Sequence, residues 1–496
     1  MKLGRGTLGV VAGVLMVVLA VLGYVLSPPA FDPPPLPASP EFRSLPAQPA
    51  GEIRHVATTA RVRTETVRVA ARGETLSATI RSPMSPGRHP AMVFVQGSGS
   101  SSGSEFTVQS EWLARAGIVT MAYDKRTVGY SFRSRDFSLL ADDALRMLRV
   151  LRQRPDVDPA RAGIWGVSEG GWVVPIAAHS AEAAFVVLVS SPNVSPLRQV
   201  AWALNEQLLR LHAPGGVRDL LTRAMGGVGF DFLRYNGVPA LRAVKQPVLA
   251  LYGTNDPSIP FVESTETLIT SLREGGNPAY TIRFLAGADH AMRRNGGGFV
   301  PDYLPTLANW ITGLPGTAKP AVPIAGATPV QRFEASDVPA APWYGGSTTL
   351  WFTLSLAAVG YVAAPVTEMV IRLRGRDLRL QTNADLWPAI RRRLRRMAWT
   401  GLGELAAVLA FITLIVLFSV NQAGAWPAVQ AGWLVVRLLA VMMLAQEVVT
   451  AAAVAEGLRH GWEPTRWQKN ILIGVLGGTG LLLITAAYYG LFTVPW

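Results

Sequence analysis

The sequence predicts an α/β domain, built on a doubly wound and mostly parallel sheet with a small helical cap. Joined to it is an α-helical transmembrane region of one N-terminal and four C-terminal spans. Three observations predict this. Between residues 51 and 312 short apolar runs alternate with helical stretches. Five other runs reach the ~20 apolar residues that a bilayer-crossing helix needs. One strand-like run ends in Gly166-Val167-Ser168-Glu169-Gly170-Gly171, a serine set among glycines just before a helix.

Composition bounds the rest. Hydrophobic residues make up 49% of the 496 and charged residues 16%, against a usual charged share of about 25%. Disorder over most of the chain is excluded, because a disordered chain is poor in apolar residues. Cysteine is absent, which removes disulfides, thiolate metal sites and a cysteine nucleophile. The net charge of +13 is concentrated. Residues 372–398 hold nine Arg and two Asp, Lys2 and Arg5 precede the first apolar run, and Arg459, Arg466 and Lys469 lie between the last two runs. Basic segments beside apolar runs belong to membrane topology and not to nucleic acid.

The apolar runs are 8–26, 350–371, 401–420, 433–455 and 471–491. The first exceeds the apolar core of about 7–15 residues usual in a signal peptide, so residues 1–26 are expected to be an uncleaved anchor, with a cleaved signal peptide as the alternative. Positive residues on short loops stay cytoplasmic. Five spans place all three basic segments on that side, whereas four or six do not. The segment 27–349, the NQAGAWPAVQ loop and Trp496 then face outward. Glu404, Arg437 and Glu447 fall within the runs. Glu404 and Arg437 lie near the ends and can snorkel, while Glu447 is deep and is read either as a helix-packing group or as a functional one.

The outward segment begins with a Pro-rich linker, 27–50, which nine prolines make stiff and extended. A second linker, 313–345, contains six more and leads to the four-helix domain 346–496. The catalytic domain is 51–312. Its strands are expected at 91–96, 118–124, 162–166, 183–190, 247–253 and 280–287, after an antiparallel pair. Continuous apolar runs of this length suit strands covered on both faces. Helices are expected at 107–116, 137–153, 169–181, 260–274 and 301–312, and the stretch 191–246 breaks the alternation as a helical cap.

Ser168 is the expected nucleophile. Glycine neighbours permit the sharp strand-to-helix turn that lifts a serine hydroxyl clear of the sheet. On such a turn the chain order is serine, acid, histidine. His179 falls in the helix after the nucleophile, His212 in the cap and His460 across the membrane, which leaves His290 as the base. Asp256, just after the strand 247–253, is the expected acid, with Asp289 as the rival. The oxyanion hole would take the Glu169 amide and one from Gln96-Gly97-Ser98-Gly99-Ser100; Ser98 is expected, with Gly99 as the alternative. The Glu169 carboxylate is read as favourable in a helix first turn, or else as a partner for a cationic substrate group. Trp165, Trp172 and Phe232 are candidate pocket walls or core.

Residues 61–312 resemble the α/β-hydrolase family, and more narrowly its dienelactone-hydrolase-like, acyl-thioesterase-like and prolyl-oligopeptidase-like serine hydrolases. The carrying motifs are VFVQGSGSSSG, AYDKRTVGYS, the run DDALRMLRVLRQRPDVDPARAGIWGVSEGGWVVPIAA, PVLALYGTNDPSIP and GADH. The resemblance implies Ser168, Asp256 and His290 as the triad. Two positions depart from the pattern: Gln96 replaces a histidine, and the usual DKRGxGxS reads Asp124-Lys125-Arg126-Thr127-Val128-Gly129-Tyr130-Ser131, with Thr127 in place of a glycine. The four C-terminal helices are not part of it.

The resulting expectation is a membrane-anchored serine hydrolase. It would act through an acyl-enzyme on a small-molecule ester, or on a short peptide, outside the cytoplasmic membrane. The lipid bilayer is its other partner, nucleic acid is not one, and neither metal nor organic cofactor is called for. A coenzyme A thioester is disfavoured because it is cytoplasmic. The alternatives are a serine peptidase or amidase, an acyltransferase, and a non-catalytic sensor signalling through the helices.

Overall fold

The computed structural model describes residues 5–37, 39–294, 297–373, 386–421 and 426–493. Lys2, residues 374–385 of the Arg-rich stretch, Gln422–Ala425 of the short outer loop and Trp496 lie outside the described residues. The chain divides into two compact units. One comprises Pro33–Glu206 and Phe230–Asp337; the other comprises Met1–Asp32, Gln207–Gly229 and Val338–Trp496. The first helix, α1 (Arg5–Leu26), belongs to the second of these.

The first unit is built on a nine-stranded sheet. In chain order its elements are β1 (Val62–Ala71), β2 (Glu74–Pro83), β3 (His89–Val95), α2 (Thr107–Arg115), β4 (Val119–Tyr123), α3 (Phe137–Arg152), β5 (Val157–Val167), α4 (Gly170–Ala177) and β6 (Val186–Val189). α5 (Pro196–Arg210) begins in this unit and α6 (Gly215–Gly226) belongs to the other; the sheet unit then continues with α7 (Val238–Ala243), β7 (Val248–Gly253), α8 (Phe261–Glu274), β8 (Tyr280–Leu285), α9 (Tyr303–Thr312) and β9 (Ile324–Gly326). The strand order is β1-β2-β4-β3-β5-β6-β7-β8-β9. β1, β2 and β4 pair antiparallel, and every other neighbouring pair is parallel. This is the α/β-hydrolase fold.

Alternation along the strands builds two cores. In β3, Ala91, Val93 and Val95 face one cluster, while Met92 and Phe94 face the other. In β7, Val248, Ala250 and Tyr252 divide from Leu249 and Leu251 in the same way. The period of two in a strand makes this inevitable once both faces are covered. α3, α4 and α8 close the first face, and α2 and α9 close the second.

The Pro-rich segments are more than spacers. Residues 33–50 pack on the sheet unit, with Phe42 buried edge-on against Phe284 at 5.7 Å. They also pair with the second segment, where Leu36 N–H donates to the Arg332 carbonyl and Glu334 N–H to that of Pro34. Proline has no N–H to give a ladder, so the residues between the prolines make these bonds. Residues 324–326, expected as linker, add β9 parallel to β8.

The second unit holds the long apolar helices, α1, α10 (Ser347–Leu373), α11 (Trp387–Asn421), α12 (Trp426–Arg459) and α13 (Arg466–Tyr488). Each contains a segment long and apolar enough to cross a membrane. Small residues bring them together. A Cβ on Gly360 of α10 would sit 2.2 Å from the Gly474 carbonyl of α13, and one on Gly23 of α1 would sit 2.2 Å from that of Ala487. Arg437 donates to the carbonyls of Leu491 (3.0 Å) and Thr493 (2.6 Å) just beyond the end of α13.

Two expectations change here. The described part of the Arg-rich stretch is not a loop, because Trp387–Met397 opens α11. Trp387, Ile390, Leu394 and Met397 are buried at helical spacing while Arg391, Arg392, Arg393, Arg395 and Arg396 occupy the other positions. The stretch 191–246, expected as one cap, is divided: residues 207–229, with α6, cluster with the apolar helices. Gly216 lies so near Trp433 that a Cβ would be 2.6 Å from its ring. Arg223 donates to the Tyr488 carbonyl at 2.8 Å. An amphipathic helix announces that a face is buried, not against what.

Candidate active site

β5 ends one residue before Ser168, whose backbone has φ +54°. That left-handed conformation is a strained one for a residue with a Cβ. Its N–H donates to the Val189 carbonyl of β6 (3.1 Å), and its carbonyl accepts from Gly171 N–H (2.8 Å), which opens α4. The glycines are required by close approach. A Cβ on Gly166 would sit 2.6 Å from the Gly170 carbonyl, and one on Gly170 would sit 2.8 Å from the carbonyl of Val95. The serine is half-buried at the C-terminal edge of the parallel strands.

His290 follows β8 and reaches the same edge. Ser190, next to the Val189 that binds Ser168, donates its hydroxyl to the His290 carbonyl at 3.0 Å. His290 Nδ1 lies 2.9 Å from Asp256 Oδ2. Asp256 is buried beyond β7, and its Oδ1 accepts from Ser258 N–H at 2.7 Å. Burial disfavours the charged imidazolium, but the charge and hydrogen bond of Asp256, with Asp289 adding, outweigh it. The net effect holds His290 above the ordinary histidine range. Asp289 is occupied otherwise: its Oδ1 accepts from Ala291 and Arg293 N–H, both at 2.9 Å. His179 faces the Ala240 carbonyl at 3.2 Å, and His460 that of Glu456 at 2.8 Å.

The loop after β3 passes directly over Ser168. A Cβ on Gly97 would be 3.3 Å from Ser168 Cβ and 3.8 Å from its Oγ. Gly99 N–H donates to the Tyr130 hydroxyl at 3.0 Å and is committed there. The next residue back, Ser98, is exposed. Gln96 is buried and donates through Nε2 to the Tyr123 carbonyl, so it braces β4. Asp124 Oδ1 accepts from Ser102 Oγ and Gly103 N–H, each at 2.9 Å, and holds the far end of the loop.

Glu169 stands at the N-terminus of α4, as the sequence reading has it, and its carboxylate is also the centre of a buried cluster. It is 1% exposed and receives Lys125 Nζ at 2.5 Å and Arg135 Nη1 at 2.6 Å. The Tyr130 hydroxyl donates to it at 2.9 Å. Both carboxylate oxygens are thus already engaged, Oε1 by Lys125 and Tyr130 and Oε2 by Arg135. Lys125, Tyr130 and Arg135 went unrecognised in the sequence as site residues. Lys125 and Tyr130 both lie within the AYDKRTVGYS motif, whereas Arg135 lies outside it. The aromatics divide: Trp165 is core against Phe94 and Phe106, and Trp172 is core beside Phe137. Phe232 is partly exposed and lies under Arg135, whose guanidinium is 4.7 Å from the ring centre.

Residues 105–312 match the model of the prolyl oligopeptidase family. The fold and this match make the domain a serine hydrolase. Among similar solved structures is a 2,6-dihydroxy-pseudo-oxynicotine hydrolase, 17% identical, covering 54% of this chain and 72% of that one, with a TM-score of 0.38. A putative dienelactone hydrolase from Klebsiella pneumoniae is 17% identical, covering 51% and 97%, with a TM-score of 0.35. An acylaminoacyl peptidase from Pyrococcus horikoshii is 16% identical, covering 51% and 40%, with a TM-score of 0.36.

Proposed function

We propose that the chain is a membrane-anchored serine hydrolase that cleaves carboxylic esters of small molecules outside the cytoplasmic membrane. His290 takes the Ser168 proton through Nε2 while Asp256 holds the ring by Nδ1. Ser168 Oγ attacks the carbonyl, and the amides of Ser98 and Glu169 receive the oxyanion. His290 returns the proton to the leaving alcohol, and water repeats the sequence to release the acid. The observation that carries this reading is the Asp256–His290 pair at 2.9 Å, at the same sheet edge as the strained Ser168.

A second reading, a serine peptidase or amidase, is favoured by the match of residues 105–312 to the prolyl oligopeptidase family. Paired ester and amide substrates of the same acyl group separate the two. The outward orientation is supported by the basic segments falling on one side of five spans. A membrane-impermeant fluorophosphonate on intact spheroplasts tests site and side together. Labelling of wild type and not of Ser168→Ala is expected. Labelling only after lysis reverses the orientation, and none in either state, with the protein folded, removes the hydrolase reading.

A further inference from the structure

Lys125 is nearly fully buried, and it is the second cation on a carboxylate that already has one. Arg135 Nη1 stands 2.6 Å from Glu169 Oε2, so a simple structural ion pair is complete without Lys125. Desolvating a second cation costs free energy that a surplus partner does not return. Its three N–H groups are all used: one on Glu169 Oε1 (2.5 Å), one on the Tyr130 hydroxyl (3.1 Å) and one on the Gly97 carbonyl. That carbonyl belongs to the same peptide unit as the Ser98 N–H. Its backbone N–H also holds the loop, through the Ser101 carbonyl at 2.9 Å.

We propose that Lys125 is the positioning residue of the oxyanion hole: it fixes and polarises the Gly97–Ser98 peptide and, through Glu169, ties it to the second donor. This rests on the reading of Ser168 as nucleophile with the Ser98 and Glu169 amides as donors. An ammonium on a peptide carbonyl draws electron density from the nitrogen, and the N–H becomes a stronger donor, as in any chain of polarised hydrogen bonds. The carboxylate on the other side of the ammonium belongs to Glu169, whose own N–H is the other donor. One ion pair thus sets the spacing of both halves of the hole. Tyr130 completes the frame. Its hydroxyl, pushed up to about 12 by burial and by the Glu169 charge, stays protonated, and it also holds Gly99 N–H. Donors fixed before reaction need no reorganisation when the charge appears.

The test uses the full-length protein in detergent or nanodiscs with an activated ester. Lys125→Met is expected to lower kcat by about 10–100-fold, a fraction of the 10²–10³ seen on losing one oxyanion donor, with KM within about threefold. Affinity for a trifluoromethyl ketone, which forms a tetrahedral oxyanion on the serine, should fall by a similar factor. Affinity for the product acid should hold, and Lys125→Arg should recover part of kcat. Where Lys125→Met does not fold, Lys125→Gln, which keeps an N–H donor without the charge and leaves Glu169 paired with Arg135, is expected to show losses of the same kind. Unchanged trifluoromethyl ketone affinity in a folded variant overturns the proposal. So does a kcat loss that only follows the folded fraction. If wild type itself fails to label with fluorophosphonate, the hydrolase reading has failed first, and that outcome is distinct.

Discussion

Asp256 Oδ2 stands 2.9 Å from Nδ1 of His290, although 34 residues separate the two in the chain. In the proposed mechanism this pairing orients the ring, with Nδ1 toward the carboxylate and Nε2 left for Ser168. It also sets a pH dependence. His290 must be neutral to accept a proton, and Asp256 holds it above the ordinary range against the opposing effect of burial. The kcat/KM profile should therefore rise through an acid limb above the usual histidine value of about 6.5. Asp256→Asn should move that limb down and cut kcat by roughly 10⁴. The stability contribution runs the other way. A base whose folded value is raised stabilises fully below its unfolded value, and the contribution is lost as pH rises through the folded one. Activity should therefore climb across the window in which this pair stops stabilising the fold. A pH–rate profile beside melting curves at the same pH values checks both.

Gly97 and Gly170 should separate chemistry from folding. A methyl on Gly97 meets the Ser168 side chain at 3.3 Å, a contact relieved by a small shift of the loop or of the nucleophile. Such shifts at a reacting centre cost up to about 10²-fold. Gly97→Ala should lower kcat by about tenfold or more with the melting temperature nearly unchanged. A methyl on Gly170 meets the Val95 carbonyl at 2.8 Å, which neither strand nor helix can move aside. Gly170→Ala should destabilise by about 1–3 kcal/mol. Kinetics and thermal unfolding on the same preparations distinguish the two.

The alternation of strands and helices, the serine turn and the order of Ser168, Asp256 and His290 were legible because each rests on local chemistry. A strand's period, a glycine that permits a close approach and an acid just past a strand are all written within a few residues. The Glu169 cluster was not legible. Lys125, Tyr130 and Arg135 come from a loop without periodicity, 34 to 44 residues from their partner, and only the folded chain brings them together. β9 is three residues in a proline-rich segment, too short for any pattern. The start of α11 was hidden because a run of arginines reads as a loop, although its apolar residues at every third or fourth position describe a helix face.

Arg126 and Asp143 form the other buried ion pair of this region, bidentate at 2.6 and 3.0 Å with both side chains 1% exposed. Arg126 also donates to the carbonyls of Val128 (2.6 Å) and Arg72 (3.1 Å), so it anchors the loop that carries Tyr130 and Arg135. Asp143→Ala leaves the buried guanidinium with only the more distant Glu74, 3.9 Å away, and should cost about 3 kcal/mol, a fall in melting temperature on the order of 10 °C for a domain of this size. Arg126→Met with Asp143→Leu removes both charges and should recover most of that loss. It should not restore full activity, because the loop anchors at Val128 and Arg72 go with the guanidinium. Thermal unfolding and kcat on the single and double variants decide this.

Absence of cysteine makes the orientation directly measurable. A single introduced thiol is the only one in the chain, so its labelling reports one position. Lys319, in the segment after α9, and His460, between α12 and α13, are both exposed in the structure. Five spans with cytoplasmic basic segments put Lys319 outside and His460 inside. In intact spheroplasts an impermeant maleimide should label Lys319→Cys at once and His460→Cys only after lysis. The reverse pattern would put the basic segments outside, against the charge rule, and would return cytoplasmic thioesters to the substrates worth testing. Labelling of both in intact cells would mean that an even number of spans, and not the three of α10, α11 and α12, separates the two positions. The readout needs no substrate and no activity, so it stands whatever Ser168 proves to cleave.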